Sequence, residues 1–169
     1  MLQYDDCWLP KLEEMNDFST CNEYEDALYC IFFDDLIKNT LYFNGKPVRT
    51  RKHPMYNDKE EAFFHVTCCD FNKDGDRNPD FRRCERIRWI RKFIEMPDCT
   101  PYPCNDCDGI KIWTEPYKSK FRTHLLLEEE RYMVILEERD KYYLLITAYY
   151  MEYDHTLDKQ LKHYMKYHK

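Results

Sequence analysis

The clearest hydrophobic pattern lies near the end of the chain, where two hydrophobic runs flank a short charged segment. The two expected strands span residues 131–138 and 142–150, and the charged turn, Glu138-Arg139-Asp140-Lys141, begins at the last residue of the first strand. Runs rich in β-branched and aromatic residues around so short a polar break predict a β-hairpin. Hydrophobic residues fall on both alternating sets of positions, so we expect both faces of this strand pair to be at least partly covered. The second strand ends in a cluster of hydroxyl side chains: Thr147, Tyr149 and Tyr150.

The rest of the pattern predicts helices and strands in a mixed order. In chain order we expect a helix (23–38), two strands around an Asn44-Gly45 turn (40–43 and 47–50), a strand (62–68), a helix (80–96), two strands (110–114 and 121–128) and a last helix from residue 156. Consecutive strands with short connections are typical of an antiparallel sheet. The predicted fold class is therefore α+β, with helices packed on an antiparallel β-sheet. We expect an acidic helical N-terminal segment (1–39) and an α+β domain (40–169).

Charge is distributed unevenly along the 169 residues, whose formal net charge is −6. Residues 1–35 contain ten acidic residues and one lysine, whereas the remainder contains 25 basic and 22 acidic residues. The average charge argues against nucleic-acid binding, but a weakly basic body behind an acidic front leaves that function open. The acidic front either covers a basic cleft, repels polyanions or is the solvated surface of a helix.

The chain shows no feature of a membrane or exported protein. No run approaches the roughly 18 apolar residues of a membrane span, and the first residues lack the basic flank and apolar stretch of a signal peptide. We therefore expect a cytoplasmic protein without a membrane partner, in which the nine cysteines are reduced thiols. Three of them, Cys99, Cys104 and Cys107, include one pair at zinc-ligand spacing. A structural zinc site has four ligands, so zinc binding and free thiols both stay open.

Two polar side chains stand out in the strand predicted over residues 62–68. Alternation along a strand would place His65 and Thr67 on one face, with Phe64 and Val66 on the other. An imidazole beside a hydroxyl suits proton transfer near neutral pH. The alternative is that His65 is a structural histidine with its hydrogen bonds satisfied in the core.

Arginines interrupt the hydrophobic stripe of the helix predicted over residues 80–96. The stripe consists of Cys84, Ile87, Ile90 and Ile94. Arg83 falls inside it and Arg86 lies at its margin. Arginine is almost never buried without a partner, and its planar fork suits a phosphate or a carboxylate. Either a phosphate ligand or an internal salt bridge would account for Arg83.

Four segments in order carry a resemblance to a known family. They are Phe64-His65-Val66-Thr67, the arginine-rich segment from Arg77 to Arg91 with its Arg-Cys-Glu-Arg-Ile-x-Trp-Ile-Arg core, Lys120-x-Arg122, and Tyr142–Tyr149 with its Thr147-Ala148-Tyr149 end. Together they resemble the prophage-encoded branch of the barnase–EndoU–colicin–RelE (BECR) superfamily of metal-independent ribonucleases. The resemblance covers about residues 40–165. The first 40 residues and the cysteine loop lie outside it.

The resemblance implies a curved antiparallel sheet with an active site on its open face, and no cofactor. It implies RNA cleavage by attack of the 2′-hydroxyl on the adjacent phosphate. The residues carried over as catalytic are His65, Thr67, Arg83, Thr147 and Tyr149. Those carried over as ligands of the substrate phosphate are Arg86, Lys120 and Arg122.

The first functional hypothesis is a metal-independent endoribonuclease, acting as a phage or prophage toxin or defence effector. Its partners would be RNA and an antitoxin or host protein. The second hypothesis is a non-enzymatic phage protein that binds a host protein and holds a structural zinc ion. A third is an RNA-binding protein that does not cleave RNA.

Overall fold

The computed structural model describes residues 7–71, 77–95 and 107–169. Within these ranges the helices are α1 (Cys21–Phe32), α2 (Glu61–Thr67), α3 (Phe81–Glu85), α4 (Ile87–Glu95) and α5 (Asp154–Tyr167), with a 3₁₀ turn at Met15–Asp17 and a π-helical segment at Phe33–Lys38. The strands in the same ranges are β1 (Leu41–Phe43), β2 (Lys46–Arg49), β3 (Cys68–Phe71), β4 (Arg77–Pro79), β5 (Lys111–Tyr117), β6 (Lys120–Leu127), β7 (Tyr132–Glu138) and β8 (Tyr143–Tyr150).

The described residues form a mixed six-stranded sheet in the order β1-β2-β8-β7-β6-β5, and a separate β3–β4 pair. Strands β6, β7 and β8 make an antiparallel meander, as the three consecutive strands from residue 121 onward predict, and β5 adds to it by pairing antiparallel with β6. The expectation of a fully antiparallel sheet is wrong, because β2 runs parallel to β8, with Val48 opposite Tyr143 and Arg49 opposite Leu144. Parallel neighbours need a long connection, and here α2 and the strands up to β7 lie between them in the chain. The α+β class is confirmed.

Both faces of the sheet are covered, at least in part, as the hydrophobic pattern of β7 and β8 predicts. One face packs with α1 to α4 in a core cluster that includes Leu125, Val134, Leu136 and Ala148. The opposite face carries a smaller cluster in which α5 packs on the sheet; its members include Trp113, Leu126, Met133, Ile135 and Tyr149. Cross-strand register separates the two sets, since Val134 pairs with Ala148 and Met133 with Tyr149.

The first hairpin follows from its turn residues. Asn44 and Gly45 both have positive φ, at 47° and 77°. Two-residue hairpin turns of this kind match the twist of the flanking strands and favour Asn-Gly. The register Leu41–Val48 and Phe43–Lys46 continues directly from that turn.

The segment expected to be a strand over residues 62–68 is instead helix α2. Nearly every side chain in it is buried, including Ala62, Phe63, Phe64 and Val66. A short segment that is buried on most sides has no clear periodicity, so strand and helix cannot be told apart from its pattern. The Thr67 hydroxyl donates a 2.8 Å hydrogen bond to the Phe63 carbonyl oxygen one turn earlier, which suits the helical conformation.

The helix expected over residues 80–96 begins as predicted and is divided in two. The Asp80 carboxylate accepts hydrogen bonds from the backbone N–H groups of Arg82 and Arg83, so Asp80 caps α3. Arg86, with φ −100° and ψ 15°, separates α3 from α4. The predicted stripe is confirmed in both halves, since its four members are buried: Cys84, Ile87, Ile90 and Ile94.

Side chains of the described N-terminal segment pack in the same hydrophobic core as the residues that come after it in the chain. Tyr24, Leu28 and Phe32 of α1 and Leu36 of the π-helical segment all belong to the larger core cluster.

In the described part of the chain, no helix is long and apolar enough to cross a membrane.

Candidate functional site

A cavity of about 380 Å³ opens where the last turns of α2 meet β8 and β6. It is lined by Arg51, Ala62, His65, Arg122, Leu145, Ile146 and Thr147. Three residues predicted from the sequence, His65, Arg122 and Thr147, therefore come together, although they are far apart in the chain. This cavity is the candidate functional site.

His65 is held from both its main chain and its side chain. Its Nε2 lies 3.2 Å from Glu61 Oε1, one helical turn earlier, and about a third of the side chain is exposed. Its carbonyl oxygen accepts hydrogen bonds from Thr147 Oγ1 at 2.8 Å and from an Arg83 guanidinium nitrogen at 3.1 Å. A carboxylate next to an imidazole fixes the orientation and tautomer of the ring. His65 thus enters the cavity as an oriented imidazole.

Arg122 is anchored by a buried carboxylate. Its Nε donates to Glu137 Oε2 at 3.1 Å, and the other oxygen of Glu137 lies 2.5 Å from an Arg139 guanidinium nitrogen. The Glu137 side chain is only 6% exposed, whereas that of Arg122 is 21% exposed. The Arg122 guanidinium also lies over the Tyr117 ring, 3.5 Å from its centre. One carboxylate between two guanidinium groups gives this group of three side chains a net charge of +1.

Thr67 lies away from the cavity, because α2 is a helix. Residues two apart in a helix point to different sides, so His65 and Thr67 do not share a face. The expected pairing of imidazole and hydroxyl is wrong for this reason. Thr67 instead lines a separate cavity of about 240 Å³, together with Cys68 and Cys84.

Arg83 and Tyr149 lie near the cavity, but they are not among the described residues that form its lining. Arg83 Nε is 3.3 Å from Asp80 Oδ2, and its guanidinium lies 5.6 Å from the centre of the Tyr149 ring. Burial raises the pKa of Tyr149 to about 12, although Arg83 acts to lower it. The internal salt bridge that the sequence left open is present, with the capping Asp80 as the acidic partner. A catalytic role for Arg83 or Tyr149 stays a prediction.

The remaining predicted phosphate ligands lie in two different places. Arg86 is buried, with its guanidinium 5.0 Å from the Trp89 ring centre and 4.7 Å from that of Tyr150. Lys120 is exposed at the start of β6, directly opposite Tyr117. Lys120 therefore shares the sheet face of Arg122, whereas Arg86 belongs to the packing between α3, α4 and β8.

Sequence reasoning missed two charged residues of the site, Arg51 and Glu137. Arg51 is exposed and lines the cavity after β2 ends. It belongs to a short basic run, Arg49-Thr50-Arg51-Lys52, which is the one signal that pointed to it. Glu137 lies in a hydrophobic strand, and its pairing with Arg122 depends on the β6–β7 register.

A cluster of two histidines and one carboxylate lies beside the cavity, on the same sheet face as Arg122. Glu115 Oε2 is 2.7 Å from His163 Nδ1 and accepts from the Trp113 indole at 3.1 Å, and its Oε1 is 3.5 Å from His124 Nε2. The His124 ring stacks on Trp113 with a centroid separation of 4.7 Å. Burial lowers the pKa of His124 to about 4, and the Glu115 carboxylate only partly opposes this. His124 is therefore neutral at pH 7 and serves as a packed core group.

The zinc candidates fall largely outside the described residues. Cys99 and Cys104 lie in the range 96–106, which is not described. Cys107 is partly buried and packs against the larger core cluster. In the ranges that are described, no group of three or more His, Cys, Asp and Glu side chains has a geometry that could hold a metal ion.

No family model, curated protein or solved structure matches this chain. The interpretation of the site therefore depends on its own geometry and chemistry.

Proposed function

We propose that the protein is a metal-independent endoribonuclease that cleaves RNA by attack of the 2′-hydroxyl on the adjacent phosphate. The observation that carries the proposal is the shared cavity of His65, Arg51, Arg122 and Thr147. An oriented imidazole next to two guanidinium groups supplies a proton-transfer group and a cationic phosphate site. The sequence resemblance to the BECR ribonucleases supports the same conclusion, and we propose that the α+β fold is a variant of that architecture.

In the proposed reaction His65 removes the proton from the 2′-hydroxyl. The 2′-oxygen forms a bond to phosphorus and the bond from phosphorus to the 5′-oxygen breaks. The departing 5′-oxygen takes a proton from water, and His65 releases its proton to solvent, which gives a 2′,3′-cyclic phosphate and a 5′-hydroxyl end. Arg51 and Arg122 stabilise the negative charge on the crowded phosphorus. Removal of one preorganised donor of this kind typically costs about 10²–10³ in rate.

The biological role we propose is that of a cytoplasmic phage or prophage toxin or defence effector. An antitoxin or host protein would then keep the ribonuclease inactive. The described part of the acidic N-terminal segment, from residue 7 onward, contributes Trp8, Tyr24 and Leu28 to the core that it shares with the rest of the chain. It is thus a fixed part of the protein that a basic partner can recognise by charge.

The test is digestion of a defined RNA by the purified full chain, with and without EDTA. We expect cleavage in both conditions, 2′,3′-cyclic phosphate ends, and no cleavage of the same sequence made of 2′-deoxynucleotides. Intact RNA under all conditions would overturn the proposal, as would activity that EDTA abolishes.

Matched variants distinguish the loss of a catalytic group from a general loss of folding. His65→Ala and Arg51→Ala should lower the cleavage rate by at least about 100-fold. His155→Ala is the control, because His155 is an exposed histidine in the first turn of α5. Equal activity of His65→Ala and His155→Ala would rule out the proposed role of His65.

A further inference from the structure

We propose that the part of the sheet face not covered by α5 is a track for single-stranded RNA, with bases stacked on Tyr42 and Tyr117 at its two ends. This inference depends on the proposed ribonuclease activity, since the track leads through the candidate site. It adds the substrate class, an unpaired strand, and names two binding residues that neither the sequence motifs nor the cavity identifies.

Cross-strand register places a continuous row of side chains on this face. Each of the following pairs lies on adjacent strands: Tyr42–Pro47, Arg49–Leu144, Leu144–Glu137, Glu137–Arg122, Arg122–Glu115 and Lys120–Tyr117. Directly opposed residues in a sheet project from the same face. The row therefore crosses the sheet from β1 to β5, on the face where α5 packs.

Helix α5 covers one end of the strands and leaves the other end without a helix, although Glu137 and Leu144 in the middle of the row are themselves buried. Its partners on the sheet lie at Trp113, Leu126, Met133 and Tyr149. At the uncovered end Tyr42 is 61% exposed and Tyr117 is 40% exposed. An exposed tyrosine therefore lies at each edge of the sheet. The Arg122 guanidinium already lies over one face of the Tyr117 ring, so a base would stack on the remaining exposed surface of Tyr117 and on Tyr42.

The charge of the row suits a polyanion, in contrast to the net charge of the chain. Arg49, Arg51 and Lys120 are exposed along it, and Arg122 is partly exposed. Its two carboxylates are already engaged: Glu137 binds Arg122 and Arg139, and Glu115 binds His163 and Trp113. The exposed side chains that remain are cationic, as in grooves that follow a nucleic-acid backbone.

The dimensions favour several unpaired nucleotides. Five steps between neighbouring strands, each of about 4.8 Å, separate β1 from β5 by roughly 24 Å. Aromatic side chains bind nucleic acid by stacking on bases that are free of a duplex, and the bases of a continuous duplex are not available for this. Tyrosines at the ends and arginines in the middle therefore fit an extended single strand better than a double helix.

The test measures binding separately from cleavage. A fluorescein-labelled 12-nucleotide 2′-O-methyl RNA has no free 2′-hydroxyl and cannot be cleaved by the proposed reaction. Its affinity for the full chain is measured by fluorescence anisotropy as a single strand and as a duplex. We expect the single strand to bind more tightly, with an affinity that falls as salt is raised.

Tyrosine variants give the specific readout. Tyr42→Leu and Tyr117→Leu should each weaken single-strand binding by roughly tenfold, because each loses one stacking surface. Tyr42→Phe should bind as the wild type does. Phe121→Leu is the control: Phe121 is 53% exposed and lies between Lys120 and Arg122, but on the opposite face of β6.

The outcomes distinguish this inference from the proposed activity. Tyrosine variants that bind like the wild type, or a duplex that binds as well as the single strand, would overturn the track even if the protein cleaves RNA. Tyrosine-dependent binding by a protein that leaves ordinary RNA intact would support the track as a binding surface and would reject the ribonuclease. Absence of binding to either form would overturn the track.

Discussion

The Thr147 hydroxyl donates a 2.8 Å hydrogen bond to the carbonyl oxygen of His65, 82 residues earlier in the chain. This bond joins the middle of β8 to the last turn of α2. The same carbonyl oxygen also accepts from Arg83 at 3.1 Å. Thr147 and Arg83 thus fix the backbone from which the His65 imidazole projects, and in this way they position His65 in the candidate site.

Replacement of Thr147 by valine should test this link, because it removes the hydroxyl and keeps the shape. The His65 carbonyl oxygen keeps Arg83 as a donor, so we expect the free energy of unfolding to fall by only about 1 kcal/mol. Urea denaturation measures the change, and Thr147→Ser, which restores a hydroxyl, is the control. A valine variant as stable as the wild type would show that the bond contributes nothing.

Glu137 should be more important for stability than its neighbour Glu138. Glu137 is buried between Arg122 and Arg139, and its loss leaves two guanidinium groups without their carboxylate. Removal of one partner of a buried ion pair costs about 3 kcal/mol or more, so Glu137→Ala should strongly lower the urea midpoint. Glu138 is 41% exposed and pairs with Lys46, so Glu138→Ala should cost less than about 1 kcal/mol. Similar losses for the two variants would contradict the assigned role of Glu137.

The strands and the site differ in how far local sequence determines them. The β6–β8 meander was predictable because its turns are short and its hydrophobic residues are continuous. The parallel contact between β2 and β8 was not, since it joins residues about 95 positions apart and leaves no local pattern. Helix α2 was predicted as a strand because burial on most sides removes the periodicity that identifies a helix.

The candidate site was predictable where a residue type was unusual in its segment or belonged to the resemblance. His65 stands out as a polar residue in a hydrophobic run, Arg122 was indicated only by the Lys120-x-Arg122 segment, and the cavity contains both. Arg51 did not stand out, because a basic residue in a polar loop is common. The pairing of Thr67 with His65 failed with the strand assignment, since a two-residue spacing has a different geometry in a helix.

Tyr132 offers a test of burial without hydrogen bonding. Its ring is fully buried against Trp89 and Phe93, and its hydroxyl has no hydrogen-bond partner among the described residues. A buried hydroxyl without a partner is unfavourable by about 1–3 kcal/mol, so Tyr132→Phe should raise the thermal midpoint. Tyr24→Phe is the matched variant, because the Tyr24 hydroxyl donates to the Glu13 carbonyl oxygen at 2.5 Å and its loss should lower the midpoint. A lower midpoint for Tyr132→Phe would mean that its hydroxyl is stabilised by the protein.

The stability of the protein should depend on pH through His124. Burial lowers the pKa of His124 from 6.5 to about 4. Between these values the unfolded chain binds more protons than the folded one, so the free energy of unfolding falls as the pH is lowered from about 6.5 to about 4. The loss from this residue is at most roughly 3 kcal/mol. Glu115 adds to it at lower pH: burial acts to raise its pKa, but hydrogen bonds from His163 and Trp113 hold it below the usual 4.5.

Urea denaturation at a series of pH values measures this dependence. His124→Phe keeps a ring that can stack on Trp113 and has no group that titrates, so its stability should change little between pH 6.5 and 4.5. His155→Phe is the control, because His155 is exposed and its loss should leave the wild-type dependence unchanged. If His124→Phe loses stability on acidification as steeply as the wild type, then His124 is not the group responsible. His124 is not among the residues that line the candidate site, so RNA cleavage by His124→Phe at pH 7 should stay close to that of the wild type.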